Sequence, residues 1–250
     1  MLGRRFAGGP APFDLEAYVA SLGLDIAAWL DAAAPYITLG TGVATWADRS
    51  GHSNHVTQAT GAAQPAYSTS VAALNNKPAV NFDGTDDVLA RATFTQGAIA
   101  QPNTIFLVAE PDDNGTALAS GQLMVDGGSA GTARHVIDIT NSGGSASISD
   151  LFAGAALLST PAFVATGAHI FEGVFNNTSS VVAVDGARST ATGAGGTQAM
   201  NGMTVGNRFS GSFWFDGRIA EIIVITGALS AAQRLPIRQW LATKYGVTLV

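Results

Sequence analysis

An apolar run near the C-terminus constrains the fold of this chain more than any other segment. After the turn at Asp216-Gly217, residues 219–226 are apolar at almost every position. A strand that is apolar on both faces must be covered on both faces. Strict alternation would place one set of side chains on one face, Ala220, Ile222 and Val224, and the other set on the opposite face, Ile219, Glu221, Ile223 and Ile225. We expect one face to join a core between two sheets and the other to need a separate cover.

The residues after this strand predict a helix as that cover. Ser230 and Gln233 have the spacing of a capping box, and Gly246 is a typical helix end. Apolar side chains recur between them at helical spacing: Ile237, Trp240, Leu241 and Tyr245. A proline inside a helix costs about 3 kcal/mol, so the regular helix is expected to begin near Pro236 after a broken first turn. We predict that Trp240 and Leu241 pack against the outer face of the strand.

Composition argues against several classes of function. The net charge is -6, whereas a nucleic-acid site needs clustered Lys and Arg, so nucleic acid is not expected as a partner. The absence of cysteine removes a disulfide framework, a thiolate nucleophile and Cys-type zinc sites. Apolar runs of about 18 residues are lacking, so membrane insertion is not predicted. Only 12% of residues are charged, and such a neutral surface favours a homo-oligomer or another assembly.

Short apolar runs separated by turn residues indicate an all-β fold. Residues 104–110, 136–140, 169–175 and 180–185 have the character of strands, with Asn and Gly in the turns between them. A spacing of about 8–12 residues is typical of an antiparallel β-sandwich. We therefore expect one antiparallel β-sandwich jelly roll at residues 24–250, with a short C-terminal helix and an N-terminal arm before it.

The arm is predicted at residues 1–23, where a Gly/Pro-rich start precedes one short helix. Its expected attachment residues are Arg4, Arg5, Phe6, Leu15, Val19 and Leu22. A helix of this length is marginal on its own in water, so its apolar side must dock. It would dock either on a partner protein, which is our prediction, or on the core of its own domain, which is the alternative.

Two groups of motifs resemble the laminin-G-like, concanavalin A-like jelly-roll family. The first group contains residues 46–51 (WADRSG) with Asn54, residues 64–65 (QP) and residues 77–84 (KPAVNFDG); the second contains residues 184–186 (VDG), 205–206 (VG), 215–221 (FDGRIAE) and the helix at residues 229–246. The resemblance extends from about residue 24 to the C-terminus and implies a sandwich. In this family, the variant with such a closing helix is frequent in phage virion proteins and bacterial surface proteins.

The resemblance favours a non-enzymatic virion-surface protein of a tailed phage, such as a decoration, spike or fibre component. The N-terminus lacks the apolar run of a secretory signal, which suits a protein assembled in the host cytoplasm and located in the virion. The expected partners are other virion proteins, further copies of the chain and host surface glycan during attachment. The first alternative is a bacterial secreted or surface adhesion domain, and the second is a glycoside hydrolase.

The hydrolase alternative requires two carboxyl groups that face each other, about 5–5.5 Å apart in a retaining enzyme. In the hydrolase branch of concanavalin A-like sandwiches they lie on one strand as Glu-x-Asp-x-(x)-Glu. The most similar string here starts at Glu110 and Asp112, but it lacks the second Glu, and Pro111 would end the strand where the pair should lie. We therefore interpret this string as a polar turn and predict no catalytic residue and no enzyme.

Loop carboxylates offer a candidate calcium site, because calcium prefers oxygen ligands. The candidate ligands are Asp83, Asp86, Asp87, Asp48 and Asn54. Since the spacing of an EF-hand is missing, turn formation is the commoner explanation of the same aspartates, and a bound calcium ion would have a structural role. His52 and His55 lie in a Gly/Ser/Asn loop, where a solvated loop is favoured over a zinc site because further ligands are far away in the sequence.

Aromatic residues provide the candidate glycan site, since sugar rings bind flat exposed rings beside polar groups. In the run Phe213-Trp214-Phe215 the two phenylalanines are expected to share one face and Trp214 to take the other. The predicted glycan-binding residues are Trp214, Asn207, Arg208 and Tyr67. Core packing is the alternative for each aromatic ring.

Overall fold

The computed structural model describes residues 12–112, 121–128, 131–143, 146–155, 157–163, 167–186 and 189–250. Within these ranges the chain forms 17 strands and two α-helices. The helices are α1 (Leu15–Ser21) and α2 (Ala231–Tyr245). The strands are β1 (Ile26–Asp31), β2 (Ile37–Leu39), β3 (Val43–Trp46), β4 (Val56–Thr57), β5 (Ala66–Val71), β6 (Lys77–Asp83), β7 (Leu89–Arg91), β8 (Asn103–Pro111), β9 (Gln122–Asp126), β10 (Val136–Gly143), β11 (Ala146–Phe152), β12 (Leu158–Ser159), β13 (His169–Phe175), β14 (Ser180–Val184), β15 (Ser189–Gly193), β16 (Met203–Val205) and β17 (Asp216–Thr226). Neither helix is long and apolar enough to cross a membrane.

The strands form two antiparallel sheets. Sheet 1 has the order β15-β14-β13-β8-β17-β6-β5, and β1 also pairs with β17. Sheet 2 has the order β12-β11-β10-β9-β16-β7-β4-β3-β2. The predicted all-β sandwich with a short C-terminal helix is confirmed.

The main core lies between the sheets and is built from alternating inward-facing side chains. Trp46 and Ile137 enter it from sheet 2, and Leu107, Phe171 and Ile222 enter it from sheet 1. All five are completely buried. Burial of a large apolar side chain contributes about 1.5–3 kcal/mol relative to exposure, so this layer holds the two sheets together.

A second apolar cluster covers the outer face of sheet 1. It joins Ile223 of β17 and Phe106 of β8 to Leu241 and Tyr245 of α2. Trp240 is half-buried, and its ring meets the edge of Trp29, with 6.1 Å between the ring centres. The predicted helical cover is therefore present, with Leu241 at its centre and Trp240 at its margin.

The start of α2 differs from our prediction, which was wrong in placing it near Pro236. The helix begins at Ala231, and Pro236 lies inside it. The Gln233 N–H donates to Ser230 Oγ over 3.3 Å, and the Ser230 N–H donates to Gln233 Oε1 over 2.9 Å. This capping box satisfies the first amides. Together with the buried side of the helix, it offsets the one hydrogen bond that proline removes.

Strict alternation also fails at the start of β17. The register with β8 shifts between Ile219 and Glu221, which is a β-bulge. As a result, Ile219 joins Ile222 and Val224 in the main core, while Ala220 belongs to the second cluster. The predicted faces are correct after the bulge and wrong before it, because the bulge adds one residue to β17.

The N-terminal helix packs on the domain itself. Leu15 and Val19 of α1 are 2% and 1% exposed in the second cluster, with Leu22 beside them. Tyr18 Oη donates to the carbonyl of Gln233 over 2.9 Å. These contacts correct the prediction that Leu15, Val19 and Leu22 belong to a separate arm, because the side chains bury their apolar face against α2. The other predicted arm residues, Arg4, Arg5 and Phe6, lie outside the described residues.

Candidate active site

A cavity of about 360 Å³ lies on the outer face of sheet 2. Outward-facing side chains of β9, β10 and β11 form much of its lining, and the loop before β17 supplies Arg208 and Phe213. The remaining lining residues, Gly121, Arg134 and Leu157, lie just before β9, β10 and β12. Much of the lining is apolar, with Leu123, Val136, Phe152 and Phe213 among the side chains. The charged residues of the lining are Arg134, Asp138, Asp150 and Arg208. The cavity thus combines apolar walls with a few charged groups, as small-molecule sites do.

Strand pairing brings two of these carboxyl groups together. Asp138 of β10 is directly opposite Asp150 of β11 in the antiparallel ladder. Ile137 and Ile139 point into the main core, so Asp138 between them points outward, into the cavity. Directly opposed residues have Cβ atoms about 4.5–5.5 Å apart. The two aspartates are 7% and 3% exposed, so both carboxyl groups lie almost completely out of bulk water.

Burial and mutual contact shift the pKa values of both aspartates. Burial raises the pKa of Asp138 well above its usual range, the charge of Asp150 raises it further, and a hydrogen bond to Asp150 acts in the same direction. Burial also raises the pKa of Asp150, although hydrogen bonds from Ser159 and Asp138 oppose this rise. Oδ1 of each aspartate is buried without a hydrogen-bond partner among the described residues. One proton between these two oxygens would satisfy both, with Asp138 as its carrier.

Arg134 forms a wall of the cavity and does not neutralise the pair. Its Nε lies 2.8 Å from Asp126 Oδ1, and its Nη2 lies 2.9 Å from Asp126 Oδ2. The Phe209 N–H donates to the same carboxylate over 3.1 Å. The charge of Arg134 lowers the pKa of Asp138, but it is the smallest of the effects on that group. Arg134 is therefore engaged chiefly in joining β10 to the loop that precedes β17.

That loop presents Phe213 and Arg208 to the cavity. Asn207 Oδ1 accepts from the Ser212 N–H over 3.0 Å, and the Phe213 carbonyl accepts from the Leu123 N–H over 2.9 Å. Phe213 has φ +62°, a conformation that non-glycine residues rarely adopt. The turn leaves its ring 36% exposed. The guanidinium carbon of Arg208 lies 5.7 Å from the centre of that ring.

The predicted glycan-binding residues have different places in the structure. Arg208 lines the cavity, and Asn207 holds the same loop from a buried position. Trp214 is half-buried and Tyr67 donates to the Ala32 carbonyl over 2.8 Å; neither lines the cavity. The phenylalanines at 213 and 215 do not share a face, because the backbone turns at Phe213, and Phe215 is buried in the main core.

The predicted calcium ligands separate into two groups. Carboxylate oxygens of Asp83, Asp86 and Asp87 lie within 4.8 Å of one another, and burial followed by the charge of Asp83 raises the pKa of Asp87 to about 6. Asp48 instead accepts from the backbone N–H groups of Trp29, Ser50 and Asn54. The side-chain amide of Asn54 donates to the Ala27 carbonyl over 2.8 Å. Asp48 and Asn54 thus organise their own loop, and calcium at the other three residues stays a prediction.

The remaining candidates from the sequence are engaged in local contacts. Glu110 and Asp112 both pair with Arg218 at the end of β8, outside the cavity lining. His52 Nε2 lies 2.7 Å from Asp25 Oδ2, and the Asp48 N–H donates to His55 Nδ1 over 2.9 Å.

The acidic pair was missed because its members are twelve positions apart and meet only through strand register. A usable signal was present in each strand. Asp138 stands between Ile137 and Ile139, and Asp150 follows Ile148 and Ser149, so each is an acidic residue within an alternating apolar segment. A buried aspartate of this kind needs a partner.

Comparison with known proteins shows the fold. No family model and no curated protein matches the sequence. Among solved structures, it is similar to an arabinofuranosidase in complex with arabinofuranosyl-α-1,2-xylobiose, with 10% identity and a TM-score of 0.66 over 92% of this chain and 65% of that one. It is also similar to domain 4 of an extracellular GH43 arabinanase from Geobacillus stearothermophilus in complex with arabinotriose, with 13% identity and a TM-score of 0.54 over 89% of this chain and 98% of that one. A sialidase from Trypanosoma rangeli in complex with sialic acid has 12% identity and a TM-score of 0.57, over 89% of this chain and 33% of that one.

These neighbours contradict two predictions made from the sequence. The non-enzymatic virion-surface protein is not supported, because the similar structures named above are glycoside hydrolases or a domain of one. The expectation that the chain is not an enzyme is wrong for the same reason. At 10–13% identity the likeness itself establishes the fold, while the chemistry must come from the residues of this chain.

Proposed function

We propose that this chain is a carbohydrate-active domain that binds a glycan in the cavity of sheet 2 and hydrolyses a glycosidic bond. The observation that carries the proposal is the Asp138–Asp150 pair, in which two buried carboxyl groups face each other in a cavity and burial raises the pKa of both. The complexes of the structural neighbours with arabinose-containing sugars and sialic acid support a glycan as the ligand. The laminin-G-like resemblance fits this proposal, since concanavalin A-like sandwiches include hydrolases.

The two aspartates would have different roles. Asp138 keeps its proton because of its raised pKa, so it is the general acid and gives the proton to the oxygen of the departing sugar as the glycosidic C–O bond breaks. Asp150 is the ionised partner, and its carboxylate oxygen forms a bond to the anomeric carbon. Water then breaks that bond, with Asp138 accepting a proton from the water and returning to its starting state.

The strand spacing predicts the stereochemistry. Cβ atoms about 4.5–5.5 Å apart let the carboxyl groups separate to the roughly 5–5.5 Å of a retaining enzyme once a sugar enters between them. The roughly 6.5–9.5 Å of an inverting enzyme would require the two side chains to turn away from each other, so the spacing favours retention. The product should therefore keep the anomeric configuration of the substrate.

The apolar walls would supply the binding surface. Phe213 offers an exposed ring at the mouth of the cavity, and Leu123 and Phe152 line the walls. The carbon-rich face of a sugar ring packs on such a surface, while its hydroxyl groups meet the carboxyl pair. We therefore expect Phe213→Ala to weaken glycan binding without removing the catalytic pair.

The test is a cleavage assay on a glycan panel that includes arabinan, arabinoxylan, sialylated oligosaccharides and uronic acid polymers. Reducing-sugar release measures the rate, and proton NMR of the first product measures its anomeric configuration. Asp138→Asn and Asp150→Asn should each lower the rate about 10²–10⁴-fold, the usual contribution of an acid–base group. Glu110→Gln and Asp112→Asn are the matched controls, since these carboxylates pair with Arg218 outside the cavity.

Two results would contradict the proposal. One is full activity in both Asp138→Asn and Asp150→Asn, which would place the chemistry elsewhere. The other is measurable binding of a glycan without cleavage of any panel member by the parent chain.

A further inference from the structure

Among the described residues, each charged group that lines the cavity has a charged partner except Arg208. Asp138 lies opposite Asp150 in the β10–β11 ladder, and Arg134 is held by both oxygens of Asp126. Arg208 makes no ion pair with any carboxylate among the described residues. Its Nε is buried and lacks a hydrogen-bond partner among those same residues.

Arg208 is nevertheless held in place. The backbone N–H of Arg208 donates to the Ser212 carbonyl, and the Arg208 carbonyl accepts from the Gly211 N–H, each over 2.9 Å. Its guanidinium carbon lies 5.9 Å from the ring centre of Phe209 and 5.7 Å from that of Phe213. A guanidinium beside two aromatic rings is positioned without its hydrogen-bonding capacity being used.

Arg208 is not the counter-ion of the acidic pair. The cation that lowers the pKa of Asp138 is Arg134, and the causes of the shift at Asp150 include no arginine. Within the part of the chain that the structure describes, Arg208 serves neither the pair nor another carboxylate, so its guanidinium is available for a ligand.

We propose that Arg208 binds the carboxylate of an acidic sugar, so that the ligand of this cavity is an anionic glycan. This rests on the proposed function, of which it names the substrate class. A guanidinium matches a carboxylate in geometry through two parallel hydrogen bonds. In an acidic sugar the carboxylate is attached directly to the ring. A ring packed on Phe213 would therefore place its carboxylate near Arg208, 5.7 Å from the same aromatic centre.

The experiment compares a charged probe, short oligogalacturonides, with a neutral one, the same oligosaccharides after methyl esterification of each carboxylate. Binding is measured by calorimetry in the Asp138→Asn chain, which prevents turnover. We expect the acidic probe to bind about 10-fold or more tightly than the ester, which corresponds to about 1.4 kcal/mol. Adding Arg208→Gln to the Asp138→Asn chain should reduce the preference for the acidic probe to less than about 2-fold, because the ion pair with the carboxylate is lost. Binding of the ester should be unchanged.

The matched control is Arg91→Gln. Arg91 lies on β7 of the same sheet, its Nε donates to the Thr93 carbonyl over 2.8 Å, and it does not line the cavity. It should retain the full preference for the acidic probe. Arg208→Lys keeps the charge but loses the planar fork, so an intermediate preference is expected.

If the Arg208 variants do not fold, the salt dependence of binding is measured in the chain that retains Arg208. Binding of the acidic probe should weaken as sodium chloride rises from about 20 mM to about 200 mM, because salt screens a partly exposed ion pair. Binding of the ester should stay constant over the same range.

Three results would overturn the assignment of Arg208: equal binding of the two probes, a preference that survives in Arg208→Gln, or tighter binding of a sulfated oligosaccharide than of the carboxylated one. These outcomes are separate from failure of the proposed function. If the chain cleaves a neutral glycan and shows no preference for the acidic probe, only the assignment of Arg208 is overturned. An acid preference that depends on Arg208, in a chain that cleaves nothing, supports the assignment and overturns the hydrolase.

Discussion

The two outer faces of the sandwich both bury carboxylates, but they compensate them in opposite ways. On sheet 1, Glu172 of β13 is completely buried under α2 and is paired with Arg234 and Arg238. On sheet 2, Asp138 is paired with Asp150, a second acid. The first arrangement supplies the opposite charge from the protein, whereas the second leaves a proton to be held between two carboxyl groups.

A second cluster on sheet 1 follows the same rule as Glu172. Lys244 Nζ lies 2.9 Å from Glu221 Oε2 and 3.0 Å from Asp31 Oδ2, and Arg49 also pairs with Asp31. Trp29 Nε1 donates to the other oxygen of Glu221 over 2.7 Å. Buried acids with cations and hydrogen-bond donors join a helix to a sheet. Buried acids that face each other in a cavity have raised pKa values instead, which is the pattern of a candidate functional site.

The largest effect is expected from removing a carboxylate on the covered face. Glu172→Gln leaves Arg234 and Arg238 buried without their partner, which should lower the free energy of unfolding by about 3–5 kcal/mol. Chemical denaturation measures the change. Glu110→Gln, which breaks a partly exposed pair with Arg218, should cost less than about 1 kcal/mol. Equal effects of the two substitutions would remove the distinction between the faces.

A smaller loss is expected at the margin of the helical cover. Trp240→Ala removes a half-buried ring that meets Trp29. It should therefore cost about 1–3 kcal/mol, below the roughly 3–5 kcal/mol of a fully buried tryptophan. Leu235→Ala on the same helix is the control, because this side chain is 42% exposed, and it should change stability by less than about 0.5 kcal/mol. If Trp240→Ala destabilised the protein no more than Leu235→Ala, the margin of α2 would contribute nothing to stability.

On the outer face of sheet 2, the corresponding substitution Asp138→Asn should stabilise the folded state, whereas Glu172→Gln destabilises it. The raised pKa of Asp138 means that the folded state binds more protons than the unfolded state above pH 4, so stability falls as pH rises through the folded-state pKa. Asp138→Asn removes this loss of stability at high pH, because an amide does not ionise. The variant should melt at a higher temperature than the parent at pH 8, and the difference should vanish near pH 3. A variant less stable than the parent at pH 8 would contradict the shared proton.

The smallest effect concerns the loop aspartates. If calcium binds at Asp83, Asp86 and Asp87, chelator should lower the melting temperature of the calcium-loaded chain, and Asp86→Asn should abolish that difference. Asp48→Asn should not abolish it, since Asp48 accepts from backbone N–H groups of its own loop and of β1. A melting curve that chelator leaves unchanged would identify these aspartates as turn residues.

Much of the architecture follows from local patterns along the chain. Short apolar runs between turn residues predicted strands that the structure contains, such as β8, β13 and β14. The capping box at Ser230 and the C-terminal glycine at Gly246 predicted α2. The two-sided apolar pattern of β17 predicted that sheet 1 would need covers on both faces. These features depend on residues within a few positions of each other, where propensity and spacing act directly.

The candidate site depended on the tertiary structure. Asp138 meets Asp150 through the register of two strands, and Arg208 reaches the same cavity from the loop between β16 and β17. The bulge after Ile219 changes the face on which that residue lies. The N-terminal helix docks on α2 for the same kind of reason, since Tyr18 Oη donates to the Gln233 carbonyl, 215 positions away. Amino-acid patterns determine which side chains must be buried. Only the packing of distant segments decides which buried groups meet, because a contact energy belongs to the pair and not to either residue alone.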